Sequence, residues 1–178
     1  MLSLMRRIFL RRAAAVAAAG VWPHAGAWAG YEASRWPAGQ PLPVFQAQDL
    51  EGKTWRLADL RGRAVILNFW ASWCEPCRAE MPTLQQLAEV YGADKLVVLT
   101  MNYKESAAKA AQFVRTTGLT LPVLLDPMGD ITRKWEVRSF PSTVLIAADG
   151  KPVMRVRGEV DWSGRDAEKM IAPLFRRQ

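Results

Sequence analysis

The chain has 178 residues, half of them hydrophobic, and a formal net charge of +7. That length gives one domain with room for a sizeable core, and the composition excludes a disordered chain. The charge is less telling: Arg6, Arg7, Arg11 and Arg12 lie in a candidate targeting segment, and setting them aside leaves 20 basic side chains against 17 acidic and no long basic run, so nucleic acid is a poor partner.

Residues 1–29 read as an export signal. Arg6-Arg7-Ile8-Phe9-Leu10-Arg11 follows a twin-arginine pattern with Met5 in place of the usual Ser or Thr, residues 13–21 are apolar, and Ala27-Trp28-Ala29 offers small residues for cleavage before Gly30. The apolar run is shorter than the roughly 20 residues a membrane span needs. Retention as an uncleaved anchor is the alternative. The one histidine, His24, falls in this segment. The exported domain then lacks a Cys–His nucleophile, a Ser–His–Asp triad and a histidine metal ligand, and two cysteines alone cannot close a zinc site.

Residues 30–42, with Gly, Pro, Ser and Gln, read as a linker, and the domain proper as residues 43–178. Residues 44–47 and 54–56 alternate around a turn and predict a hairpin; Ala58-Asp59-Leu60 predicts one helical turn. Residues 65–70 favour a buried strand. A helix should start at Cys74, accept Pro76 in its first turn, run to about Tyr91 and end at Gly92. Pro82 removes one bond inside it and predicts a kink. A second buried strand spans 96–101, a helix 105–117 and a short strand 121–125. Asp126-Pro127 suggests a helix start. Strands over 143–147 and 153–157 flank Asp149-Gly150. Ser163 and Asp166 resemble a capping box for the last helix, which Pro173 should distort. Alternating strands and helices predict an α/β fold, a mixed sheet with helices on both faces.

Cys74 and Cys77 are the only cysteines, one helical turn apart. Helix-terminal N–H groups and the helix dipole stabilise a thiolate on Cys74 and lower its pKa below the free value of about 8.5. Cys77, one turn further in, is the less exposed partner. The alternatives are a static structural disulfide and a dithiol in which Cys74 attacks a substrate disulfide and Cys77 resolves the mixed disulfide. Arg78 follows the pair where covalent haem attachment requires histidine. The negative charge of Glu75 between the sulfurs should oppose the thiolate and favour a reductant. Trp70 is expected in the core. Trp73 either packs or rims the active-site surface and offers apolar contact to substrate segments.

The run Asn68-Phe69-Trp70-Ala71-Ser72-Trp73-Cys74-Glu75-Pro76-Cys77-Arg78-Ala79-Glu80-Met81-Pro82 resembles the thioredoxin superfamily, and more narrowly its periplasmic reductases of the cytochrome c maturation type. Asp49-Leu50-Glu51-Gly52-Lys53 and Leu57-Ala58-Asp59-Leu60-Arg61-Gly62 resemble the lead-in of that family. Leu124-Leu125-Asp126, Phe140-Pro141-Ser142-Thr143-Val144-Leu145-Ile146 and Asp149-Gly150 resemble its second half. The resemblance implies a thioredoxin-like fold: a central mixed β-sheet, helices on both faces, an N-terminal β-hairpin and an inserted helix and strand. It implies a cis Phe140–Pro141 bond facing Cys74, against the plainer reading of a loop proline. It credits Glu80, otherwise an ordinary surface carboxylate, with moving the proton of the inner cysteine, a role thioredoxins proper give to an acid where this chain has Asn68.

No cofactor is implied. The implied partners are protein substrates with disulfides, in apocytochrome c or a metallochaperone, and a membrane thiol-electron transporter as electron donor. A disulfide-forming oxidant is the alternative within the class. A Cu(I)-binding protein using Cys74 and Cys77 lies outside it, and a peroxidase is a weaker option.

Overall fold

The computed structural model describes residues 30–175; the export signal expected at residues 1–29 lies outside the described residues. The central strand β4 (Ala64–Trp70) is buried along its whole length, as a run that is apolar but for Asn68 demands of a strand covered on both faces. On one side it pairs in parallel with β5 (Leu96–Tyr103), which pairs in parallel with β6 (Val123–Asp126). On the other side it pairs antiparallel with β7 (Ser142–Ile146), then β8 (Pro152–Arg157), then β1 (Glu32–Arg35). A separate hairpin joins β2 (Gln46–Gln48) to β3 (Thr54–Arg56), and a 3₁₀ turn over Leu57–Leu60 leads into β4.

Two cores form against the sheet. One packs α1 (Glu75–Tyr91), α2 (Ala107–Thr117) and α4 (Arg165–Ile171) through Met81, Leu84, Phe113 and Ile171. The other packs the hairpin, the 3₁₀ turn and α3 (Asp130–Lys134) around Phe45, Leu60, Phe69 and Trp135. The fold is thioredoxin-like, and α2 with β6 is the inserted helix and strand.

The linker expected over residues 30–42 is a strand in part. β1 covers the edge of β8, with Glu32 opposite Arg157 and Arg35 opposite Met154, which satisfies an edge that would otherwise lie open. Trp36 is buried beside Trp135 and under the Arg155 guanidinium. The polar sequence of β1 hid it, because only one face of a short edge strand is covered.

Two caps differ from expectation. Asp126 does not start a helix at Pro127. Its carboxylate reaches past the turn to accept from the Ile131 and Thr132 N–H groups at 3.2 and 2.8 Å, and α3 begins at Asp130 behind a left-handed Gly129. The Ser163–Asp166 box does not form either. Ser163 instead donates its N–H and hydroxyl to Asp161, and Gly164 is the N-cap of α4. In both cases a carboxylate that bonds other N–H groups replaces the capping geometry: Asp126 reaches farther along the chain, and Asp161 takes Ser163. Pro173 does end α4, in a 3₁₀ turn over Ala172–Phe175.

Candidate active site

The parallel run of β4 delivers the chain to its C-terminal end, where residues 71–74 turn into α1. Cys74 is the N-cap of that helix, with extended backbone, and its sulfur accepts the Cys77 N–H at 3.3 Å. The unpaired first-turn donors therefore point at this sulfur. Pro76 sits in the first turn, where its missing N–H is no loss. Cys74 and Cys77 form a disulfide, with Cys77 wholly buried and Cys74 5% exposed.

The loop before Cys74 is tied down from β5. Glu105, buried just after β5, accepts the Ser72 N–H at 2.8 Å, the Ser72 hydroxyl at 2.6 Å and the Asn102 side-chain amide at 2.8 Å, and pairs with Lys109 at 2.8 Å. Burial pushes its pKa up, but the bonds from Lys109, Ser72 and Asn102 together outweigh this and hold the carboxyl below its ordinary range.

The Phe140–Pro141 bond, just before β7, is cis. The Phe140 ring lies between Tyr103, at 4.9 Å, and Trp73, at 5.9 Å and edge-on. Trp73 is 63% exposed, so it rims the surface, whereas Trp70 is buried against Phe113. The Glu75 side chain points to solvent, 4.0 Å from the Arg78 guanidinium.

Glu80 lies one turn beyond Cys77 and is 1% exposed. One carboxylate oxygen, Oε1, accepts from Asn68 Nδ2 at 2.6 Å. The other, Oε2, accepts from the Val160 N–H at 3.2 Å and Trp162 Nε1 at 3.3 Å. Burial drives its pKa up to about 8 against those three hydrogen bonds, with a smaller push from the Glu159 charge. A carboxyl that titrates near working pH in a dry interior is suited to proton transfer.

The structure thus gathers Trp73, Cys74, Glu75, Pro76, Cys77, Glu80, Phe140 and Pro141 at one end of the sheet. Sequence reasoning did not single out Glu105 or Trp162. The Asn102/Glu105 pair at the end of a buried strand was a usable signal for the first. Trp162 is brought to Glu80 by the loop after β8, which no local pattern announces.

Comparison with known proteins agrees with this geometry. Residues 38–153 match the AhpC/TSA family. The thiol-disulfide oxidoreductase ResA of Bacillus thuringiensis subsp. konkukian is 36% identical over 121 residues, 68% of this chain and 70% of that protein. A Chlorobium tepidum protein assigned as thiol:disulfide interchange protein DsbE superposes with a TM-score of 0.69 at 30% identity, covering 74% of this chain and 93% of its own. A secreted thiol-disulfide isomerase of Corynebacterium glutamicum gives 0.69 at 28% identity, covering 80% and 90%. The chain belongs to the AhpC/TSA family, and within it to the thioredoxin-like thiol-disulfide oxidoreductases of the ResA and DsbE type.

Proposed function

We propose that the protein is exported and reduces protein disulfides outside the cytoplasm, in the periplasm, with Cys74 as the attacking sulfur and Cys77 as the resolving one. The Cys74 thiolate attacks a client disulfide, forms a mixed disulfide and expels one client thiolate. Cys77 gives its proton to Glu80 and attacks Cys74 Sγ, which releases the second client thiolate and leaves the Cys74–Cys77 disulfide. The client gains two electrons and this protein loses them. A donor dithiol from a membrane thiol-electron transporter reverses the sequence: its first thiolate attacks Cys74 Sγ, Glu80 returns its proton to the departing Cys77 sulfur, and the second donor thiolate then attacks the first donor sulfur, which expels the Cys74 thiolate and leaves the disulfide on the donor.

The observation that carries this reading is the sealed carboxyl of Glu80 one turn beyond a fully buried Cys77. A buried sulfur needs a local proton acceptor to become a thiolate and a local donor to leave as a thiol. Glu80, with a pKa of about 8, serves for both. Trp73, Phe140 and the cis Pro141 supply an apolar and backbone edge for an extended client segment beside Cys74. The location is supported by the twin-arginine-like sequence over residues 1–29 and by the secreted Corynebacterium relative. The clients fit apocytochrome c or a metallochaperone, whose cysteines would otherwise oxidise in such a compartment.

Equilibration of the full chain against a thiol–disulfide buffer tests the direction. The reductant reading expects a potential more negative than about −200 mV, and a value near −120 mV, the range of strong oxidants, would overturn it. Expression of Cys77→Ser in the periplasm should hold the client as a mixed disulfide and so identify it.

A further inference from the structure

Glu80 has an asymmetric set of partners, and one of them is not fully used. Oε2 already receives two N–H donors, from Val160 and Trp162, so a proton on this carboxyl belongs on Oε1. There the neighbour is also a donor: Asn68 Nδ2, 2.6 Å away and shared with the Thr143 hydroxyl at 3.0 Å. The Asn68 carbonyl oxygen, Oδ1, is buried with no hydrogen-bond partner. This arrangement suits an ionised carboxylate. With a proton on Oε1 it would set donor against donor in a dry site.

We propose that Asn68 is the positioning residue for this proton, and that its amide turns end for end with the charge of Glu80. Nδ2 faces the ionised carboxylate, and Oδ1 faces the protonated one and accepts its O–H. This inference rests on the proton-transfer role proposed above for Glu80.

The surroundings permit the turn. Thr143 carries a hydroxyl, which accepts from Nδ2 in one state and donates to Oδ1 in the other. The rotation puts Nδ2 where Oδ1 now stands unpaired, so the number of unsatisfied buried atoms is the same in both states. An aspartate at this position would add a second charge, and an aliphatic residue would serve neither state. Asn68 and Thr143 sit opposite each other on β4 and β7, so the two groups keep their spacing as the amide turns. The groups that face Glu80 from β4 and β7 are thus neutral. The loop after β8 supplies the charge of Glu159, and its own helix supplies Cys77, which titrates once reduced.

The test is NMR of the full oxidised chain between pH 6 and 10, which follows Glu80 Cδ and the Asn68 side-chain amide together. The expected result is a Glu80 transition near pH 8 with the Asn68 amide resonances moving over the same range. Cross-relaxation from the Nδ2 hydrogens to Glu80 Hγ should be present at pH 10 and lost at pH 6. In Glu80→Gln the Asn68 resonances should be constant with pH. A Glu80 that titrates beside an unmoved Asn68 amide would overturn the rotation and leave the proton role standing. A Glu80 that does not titrate in this range would overturn the proton role itself, and the rotation with it. Asn68→Leu adds a second measurement: it removes the partner of both protonation states, so the Glu80 midpoint should stay within about half a pH unit of wild type, and a rise of about one unit or more, the loss of a fixed donor to the charged form alone, would count against the turn.

Discussion

Glu105 and Ser72, 33 residues apart in sequence, meet in two hydrogen bonds, one to the Ser72 amide at 2.8 Å and one to its hydroxyl at 2.6 Å. Through them the end of β5 fixes the loop that sets Cys74 at the start of α1. Replacement of Glu105 by Ala strands the Ser72 N–H and the Asn102 amide in a buried site. It should cost about 2–4 kcal/mol in denaturant unfolding. The carboxyl is held below its ordinary range by its partners. Its share of stability is therefore present above the ordinary carboxyl pKa and is lost as pH falls through the folded value. Glu105→Gln should remove that acid-side dependence.

Glu80 works in the opposite sense. In the unfolded chain it ionises near 4.5, and in the fold at about 8, so between those values the native state holds a proton the unfolded state has lost. Its contribution is fully present below 4.5 and declines as pH rises towards 8, by up to about 1.4 kcal/mol per pH unit. Unfolding of wild type and Glu80→Gln measured from pH 5 to 9 should show this slope in the first and not in the second.

The same carboxyl predicts a kinetic profile. Recharging of the disulfide by a small dithiol needs Glu80 protonated, so the Glu80-dependent part of the rate should fall as pH rises through about 8. Glu80→Gln should slow the step about 10²-fold at neutral pH. Stopped-flow fluorescence of the reduction would report both.

Gly158 joins the N-terminal strand to the redox end. Its N–H bonds the Pro141 carbonyl at 2.9 Å, its φ is +95°, and a Cβ there would stand 3.0 Å from the Gly30 carbonyl oxygen and 3.1 Å from Tyr31 Cα. Gly158→Ala should destabilise by about 1–3 kcal/mol and raise amide exchange along Glu32–Arg35. Trp36→Ala, which empties a buried site between Trp135 and Arg155, should cost about 3 kcal/mol. The Trp36→Ala loss and the faster exchange along Glu32–Arg35 would not occur if residues 30–42 were only a linker.

Trp73 separates binding from stability. It is 63% exposed and touches Phe140 edge-on, so Trp73→Ala should change unfolding by less than about 1 kcal/mol. The rate with a disulfide-bonded protein client should fall several-fold, while the rate with a small disulfide stays near wild type.

Much of the fold was legible in the sequence because its central strands are long and mostly apolar and its turns carry Gly or Pro where the backbone requires them. β4, α1 and β5, which place Cys74 and Cys77, follow directly from residues 65–101. β1 was not legible. A four-residue edge strand with one covered face gives no alternation, and its partner lies 121 residues away at Arg155. The caps at Asp126 and Ser163 were misread for a local reason, since side chains of the Asp and Ser type bond to several nearby N–H groups and spacing alone does not choose among them. At the site, the cysteines announce themselves, and Glu80 stood out only through the family resemblance. Its burial depends on Val160 and Trp162, supplied by a loop 80 residues on.

The exchange chemistry rests on unequal sulfurs, a Cys74 at the helix start that keeps 5% exposure and a Cys77 that is wholly buried. Alkylation of the fully reduced chain by iodoacetamide across pH 5–10, with the modified residue identified by peptide mass, tests this directly. The account predicts modification at Cys74 alone near neutral pH, with a midpoint below the free-thiol value of about 8.5. Modification of Cys77 first, or two thiols equally slow at neutral pH, would contradict it.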